Sequence, residues 1–252
     1  MKIFKITVYF LLILGILALL MWAGIKAKKQ TCTGISIVVR AAKNSELLTK
    51  SDILNILKQN NFEWEGKMIE EIKRPSIKKI LAQENYIKSV DNVYFLGSKL
   101  QIEVSLHDIL LKVVPNHGEK FLLDVNGTYL PYSPKVGSDV IVATGFISNK
   151  NKTIPIENTE FYELFQMASL IKKDPFYENL FNKLYVNDKQ EIILFPKDEK
   201  LPVLFGTVQD AESKLKTLKY MYKEVLPYMN ENKYAQLDVR FKNRIVATKT
   251  KS

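Results

Sequence analysis

Residues 86–106 read YIKSVDNVYFLGSKLQIEVSL, two β-rich runs joined at Leu96-Gly97-Ser98. In the second run Leu100, Ile102, Val104 and Leu106 alternate with Gln101, Glu103 and Ser105, the period-two mark of a strand with one buried face. The first run, Tyr86 to Phe95, is rich in β-formers with a looser alternation. Upstream, Arg74-Pro75 predicts a helix start, because proline in the first turn lacks only an N–H that would have no partner there. Ile77, Ile80 and Leu81 form that helix's apolar face, and Glu84-Asn85 closes it. Further back, Thr49-Lys50-Ser51-Asp52 has the form of a capping box. Ile53, Leu54, Ile56 and Leu57 follow at helical spacing, and Asn60-Asn61 ends that helix. Gly34 to Ala42 (GISIVVRAA) is a β-branched run, a predicted strand. Strand, helix, helix, strand, strand over 35–106 predicts a small α+β unit, two helices covering one face of a three-stranded sheet.

Before this unit stands ITVYFLLILGILALLMWAGI, residues 6–25, which carry no charge. Roughly 20 apolar residues at about 1.5 Å each cross a ~30 Å hydrocarbon layer. Ile6, Leu11, Leu14, Leu17, Leu20 and Ile25 are therefore predicted membrane-anchor residues, with 1–5 as a short tail and 26–34 as a juxtamembrane linker. A cleaved signal peptide would have a shorter apolar core and a small-x-small cleavage site. A lipoprotein signal would place small apolar residues before Cys32, which instead follows Lys29-Gln30-Thr31. Cys32 reads as an isolated thiol in the linker, and as the only cysteine it has no disulfide partner within the chain. Lysines 2 and 5 before the span face lysines 26, 28 and 29 after it, so charge counting leaves the orientation open.

Downstream, 107–249 predicts a larger mixed β-sheet domain with helices, followed by a polar tail at 250–252. His107 to Val114 continues as a strand. Phe121-Leu122-Leu123-Asp124 and Thr128-Tyr129-Leu130-Pro131 flank Val125-Asn126-Gly127, a hairpin signal. Further strands are predicted at Val140–Gly145, Leu184–Val186, Ile192–Phe195 and Val203–Gly206, and helices at about 160–172 and from Asp174-Pro175. A long helix is expected over about 209–229, ended or kinked by Pro227. Last, Leu237, Val239 and Phe241 alternate with Asp238, Arg240 and Lys242. Ile245 and Ala247 keep the phase, so the segment reads as one long closing strand.

The formal net charge of +10 raises the question of nucleic acid. Residues 1–34 hold five lysines and no acid, leaving 32 basic against 27 acidic residues elsewhere. The basic cluster beside the span suits anionic headgroups, and no nucleic-acid-binding signature accompanies it. His107 and His117 are the only histidines and lack metal-ligand spacing. No phosphate loop, dinucleotide fingerprint or nucleophile elbow appears. Glu70-Glu71 and Asp198-Glu199 read as solvated acids. No cofactor is expected.

Taken in order, these features resemble the FtsQ/DivIB family of bitopic bacterial cell-division proteins, and the small unit resembles a POTRA domain. Asp124-Val125-Asn126-Gly127-Thr128-Tyr129-Leu130-Pro131 is similar to the family's D-x-x-G-x-x-x-P hairpin, and Val142-Ala143-Thr144-Gly145 to its V-x-T/S-G strand. Leu204-Phe205-Gly206 with Lys214-Leu215-Lys216-Thr217-Leu218 resembles its LG and KL-x-x-L segments. Tyr234-x-x-Leu237-Asp238-Val239-Arg240-Phe241 resembles its closing strand. The resemblance implies a non-enzymatic scaffold at the division septum, anchored in the cytoplasmic (inner) membrane with its N-terminus inside and its bulk outside. It implies capture of FtsB-like and FtsL-like coiled-coil proteins, with FtsW/FtsI-like septal wall synthases as further candidates. Docking would use a C-terminal edge strand through Asp238, Arg240, Phe241, Lys242, Asn243, Arg244 and Ile245. On the residues alone, Phe241 fits a core position equally well, and Arg240 a solvated face. The alternative readings are a POTRA-bearing accessory of protein secretion or outer-membrane assembly, and an anchored extracytoplasmic enzyme.

Overall fold

The computed structural model describes residues 11–22, 30–41, 47–147, 154–159, 161–198, 200–229, 233–241 and 244–250. They divide into two compact units, one from Met1–Arg40 with Leu48–Leu106, the other from Ala41–Leu47 with His107–Ser252.

In the first unit, helix α1 covers 11–22. Leu11, Leu14, Leu17 and Leu20 on it are 65%, 52%, 56% and 65% exposed, so among the described residues none covers its apolar surface. Ile6 and Ile25 lie outside the described residues. Among the described residues no helix is long and apolar enough to cross a membrane.

The rest of this unit is β1 (Gly34–Arg40), α2 (Lys50–Gln59), α3 (Arg74–Leu81), β2 (Ile87–Leu96) and β3 (Lys99–Leu106). The sheet order is β1-β3-β2, with β1 parallel and β2 antiparallel to β3. The capping box forms: Asp52 N–H donates to Thr49 Oγ1 at 3.2 Å, and Thr49 N–H donates to the Asp52 carboxylate at 2.8 Å. Ile53, Leu57, Ile77 and Leu81 of the helices are buried, as are Leu100, Ile102 and Val104 on β3. Each such side chain contributes about 1.5–3 kcal/mol on burial. The opposite sheet face is polar, with Arg40 reaching Asp91 at 3.3 Å and Glu103 at 2.9 Å.

Cys32 corrects an expectation. It is buried inside this unit, and its N–H donates to the Lys67 carbonyl at 2.8 Å while its own carbonyl accepts from Gly66 N–H at 3.0 Å. Thr31 bridges Met68 in the same ladder. The residues just before β1 are thus paired with the connection between α2 and α3. Such a distant pairing leaves no local pattern in sequence.

The second unit holds β4 (Ile109–Pro115), β5 (Phe121–Asp124), β6 (Tyr129–Pro131), β7 (Ile141–Gly145), α4 (Tyr162–Lys173), α5 (Pro175–Leu180), β8 (Phe181–Val186), β9 (Ile192–Pro196), β10 (Val203–Gly206), α6 (Ala211–Tyr220), β11 (Tyr234–Asp238) and β12 (Val246–Lys249). They build one nine-stranded sheet in the order β12-β11-β10-β9-β8-β7-β4-β5-β6. The parallel neighbours β7 and β8 are joined through α4 and α5, and β10 and β11 through α6. Leu164, Met167, Ala168 and Ile171 of α4 and Leu215 and Leu218 of α6 share one apolar core with the strands. β7 and β9 alternate buried and half-buried residues, as a sheet covered on one face does.

The long helix expected over 209–229 is broken. α6 stops at Tyr220, Met221–Val225 make a π turn, and Leu226–Tyr228 a 3-10 turn. Pro227 has no N–H to continue an α ladder and its ring clashes with the preceding turn. The chain adapts by widening, Leu226 N–H reaching back to the Met221 carbonyl.

Candidate functional site

The closing segment is two strands. β11 lies inside the sheet, parallel to β10 on one side and antiparallel to β12 on the other. The outer edge is β12. The unbroken alternation across the two strands has a geometric cause. Leu237 pairs with Ala247 and Asp238 with Val246, so residues of the same parity face each other. Facing residues in an antiparallel pair share a sheet face, and the alternation therefore runs through the reversal unbroken. A hairpin of this register has the pattern of a single long strand.

The predicted docking residues consequently line a reversal. Asp238 is the buried last residue of β11. Phe241 stands 44% exposed, with the Arg240 and Arg244 guanidinium carbons 5.9 and 5.4 Å from its ring centre. Arg244 N–H closes the turn on the Phe241 carbonyl at 3.3 Å. Ile245 packs against the core. Lys242 and Asn243 lie outside the described residues. Phe241 is thus no core residue, whereas Leu237 and Val239 are buried.

Arg240 is not a free solvated side chain. Its Nε donates to Asp238 Oδ1 at 3.0 Å, its Nη2 to Asp238 Oδ2 at 2.7 Å, and its Nη1 to Glu191 Oε1 at 2.7 Å. Its methylene stem lies on Gly206, where an added Cβ would come within 2.9 Å of Arg240 Cγ. Gly206 also has a φ of +78°, a conformation that side chains other than glycine's disfavour. Bonds from Asn187 and Arg240 hold the Glu191 carboxyl below its usual range. Burial pushes Asp238 up, but the bonds from Arg240 outweigh it and leave that carboxyl lowered as well.

The other motifs resolve into comparable local physics. Asp124 is completely buried, and its Oδ1 accepts from Asn126 N–H at 2.9 Å and Thr128 N–H at 2.7 Å. Its Oδ2 accepts from His107 Nδ1 at 2.8 Å and Asn126 Nδ2 at 3.3 Å. The Asp-x-x-Gly hairpin is therefore a loop wound around one carboxylate. At Gly145 (φ +106°) an added Cβ would sit 2.2 Å from the Val186 carbonyl oxygen, so only glycine lets β7 and β8 close there. Lys214 donates to the Thr207 carbonyl at 2.9 Å and stands 5.0 Å from the centre of the Phe205 ring, tying α6 to the end of β10.

Glu191 and Asn187 carried no functional signal in the sequence. Glu191 lies 49 positions from Arg240, in an ordinary turn. A cavity of about 650 Å³ between α4 and the first turn of α6 is lined by Tyr162, Phe165, Leu170, Lys173, Asp210 and Glu212 among others, and by none of the hairpin residues. Among the described residues no cluster of His, Cys, Asp or Glu is arranged to hold a metal.

The two outer edges of the sheet differ. β6 ends in Pro131, which has no N–H to offer a further strand. On β12, Val246, Thr248 and Lys249 are exposed and Ala247 is half-buried. Among the described strands none pairs with its outer side. An edge of that kind presents backbone donors and acceptors to which an extended segment can add.

Comparison with known proteins agrees with this architecture. Residues 30–105 match the POTRA-like domain, so that match begins before β1 and takes in the paired residues around Cys32. A search of curated proteins gives no match. Residues 110–248, more than half of the chain, match the family described as FtsQ/DivIB, C-terminal related, and they contain the whole sheet from β5 to β11, the α4–α6 layer and the reversal at Phe241. By that match the chain belongs to the FtsQ/DivIB C-terminal related family, with a POTRA-like domain before it.

Proposed function

We propose that the chain is a membrane-anchored, non-enzymatic scaffold of bacterial cell division that captures an FtsB-like and FtsL-like coiled-coil pair on β12 and Phe241. Family membership supports a division-related scaffold. The observation that carries the docking reading is the outer side of β12, with which none of the described strands pairs, together with the exposed Phe241 ring that precedes it in the chain. Main-chain bonds along such an edge give affinity, and alternate side chains give specificity. Phe241, with two guanidinium groups beside it, is a suitable central anchor.

Residues 6–25 supply the anchor, with 1–5 in the cytoplasm and the remainder outside at the septum. The exposed leucines of α1 favour this, since apolar surface of that extent needs cover. The POTRA-like unit then spans 35–106 and the docking domain 107–249. FtsW/FtsI-like synthases are candidates for further contacts.

Depletion in the native bacterium tests the division role: cells are expected to filament, and normal division would contradict it. Copurification with an outer-membrane β-barrel in place of coiled-coil proteins would favour a secretion accessory instead.

A further inference from the structure

The reversal that carries Phe241 is joined to a distant turn by a chain of polar contacts. Asn187 Nδ2 donates to Glu191 Oε2 at 2.9 Å, and Glu191 Oε1 accepts from Arg240 Nη1 at 2.7 Å. Arg240 then returns to Asp238 through Nε and Nη2, while its backbone N–H donates to Asp238 Oδ1 at 3.1 Å. The turn at the far end is itself tied by hydrogen bonds. Asn187 Oδ1 accepts from both Lys189 N–H and Glu191 N–H at 2.9 Å, and Gln190 Nε2 donates to the Phe146 carbonyl at 3.0 Å. In the sheet, β10 stands between β11 and β9, so the Arg240 side chain crosses β10 to reach Glu191. Gly206 at the end of β10 leaves room for that crossing.

We propose that Arg240 is a positioning residue: with Asn187, Glu191 and Asp238 it forms a brace that holds Phe241 and Arg244 in the geometry the partner meets. This rests on the docking reading above and gives its neighbour Arg240 a different task from Phe241. Phe241 touches the partner, and Arg240 works through the placement of Phe241 and β12.

The brace has a kinetic signature. A binding surface that is competent only part of the time weakens apparent affinity by that fraction, which slows productive association. Removal of a direct contact acts mainly on dissociation. The brace ion pairs are partly exposed, so they add little to global stability. Glu191→Ala removes one end of the brace while Asp238 stays paired with Arg240. Arg240→Lys replaces a planar fork that spans two carboxylates by a single point charge.

The test uses the full chain in lipid nanodiscs and the FtsB-like and FtsL-like pair of the same bacterium, immobilised through the pair. Glu191→Ala and Arg240→Lys are each expected to slow association about five-fold with dissociation changed less than about two-fold. Phe241→Ala, the contact control, is expected to speed dissociation. In the same two brace variants, hydrogen exchange at the Arg240 and Arg244 amides rises, while the β7 and β8 amides stay as protected as in wild type. Unchanged exchange at Arg240 and Arg244 in both variants overturns the brace. So does faster dissociation with unchanged exchange, which would make Arg240 a contact. If the wild-type chain does not capture the pair, the docking reading fails, and the exchange result alone decides the brace.

Discussion

Replacing Asp124 by asparagine is expected to destabilise the second unit by about 3 kcal/mol. The side chain is completely buried and accepts four hydrogen bonds, two from backbone N–H groups of its own loop and two from His107 and Asn126. Asparagine has nearly the same shape but only one acceptor oxygen. If the oxygen faces Asn126 N–H and Thr128 N–H, the NH2 points at the Asn126 amide and at His107 Nδ1, which accepts only in the tautomer that leaves Nδ1 unprotonated, and both charge-assisted bonds on that side are lost. In the other orientation the two backbone donors lose their partner. Hydrogen bonds to a charged group contribute roughly 1.5–3 kcal/mol each, and about two of the four are lost. For a domain of this size about 3 kcal/mol corresponds to a fall of roughly 9 °C in Tm. Near-UV circular dichroism of the full chain in detergent micelles would measure it. Thr128→Ala is the control, since Thr128 contributes only its backbone N–H to this carboxylate and its side chain is exposed. An Asp124→Asn protein melting within about 2 °C of wild type would refute the reasoning, as would Thr128→Ala having the same effect as Asp124→Asn.

Gly145→Ala is expected to cost more than about 3 kcal/mol, because the new methyl meets a backbone oxygen that cannot move without parting two strands. Gly66→Ala, at φ +74° but with nothing within 4 Å, should cost only about 1 kcal/mol of backbone strain, and urea titration of both variants checks the difference. Stability should also fall in acid. Asp124, Asp238, Glu191 and Asp91 all have carboxyls lowered by folding, so their contribution is complete above the unfolded values of about 4 and is lost as pH falls through the folded ones. A melting temperature that is flat from pH 5 to about pH 2.5 would contradict that assignment. Phe241→Ala should weaken capture of the coiled-coil pair about ten-fold while Tm moves by no more than about 2 °C, because the ring is 44% exposed.

The elements governed by local chemistry were legible in the sequence. The Thr49–Asp52 capping box, Pro75 in the first turn of α3 and the Gly97 turn each form where their residues place them. The unit they build follows from them. The Asp124 loop was recognisable as a hairpin, although its buried carboxylate at the centre was not, since burial depends on how β4, β5 and β6 pack. Three features were illegible for stated physical reasons. Same-parity pairing of β11 with β12 concealed the reversal, and with it the identity of the edge. Met221 to Val225 widened into a π turn ahead of Pro227, where periodicity alone gave a continuous helix. The partners of Arg240 and Cys32 lie far away in sequence, so a paired guanidinium read as a docking or solvated side chain and a buried thiol read as part of a linker. In both cases the residue type was informative and its surroundings were not.

The docking edge is the central claim, and amide hydrogen exchange of the full chain with and without the FtsB-like and FtsL-like pair tests it most directly. Strand addition should slow exchange at the amides of Val246–Lys249, about ten-fold or more at those facing outward, and leave the Tyr129 and Leu130 amides on the opposite edge unchanged. A bound pair that leaves Val246–Lys249 exchanging as fast as in the free chain would contradict the account.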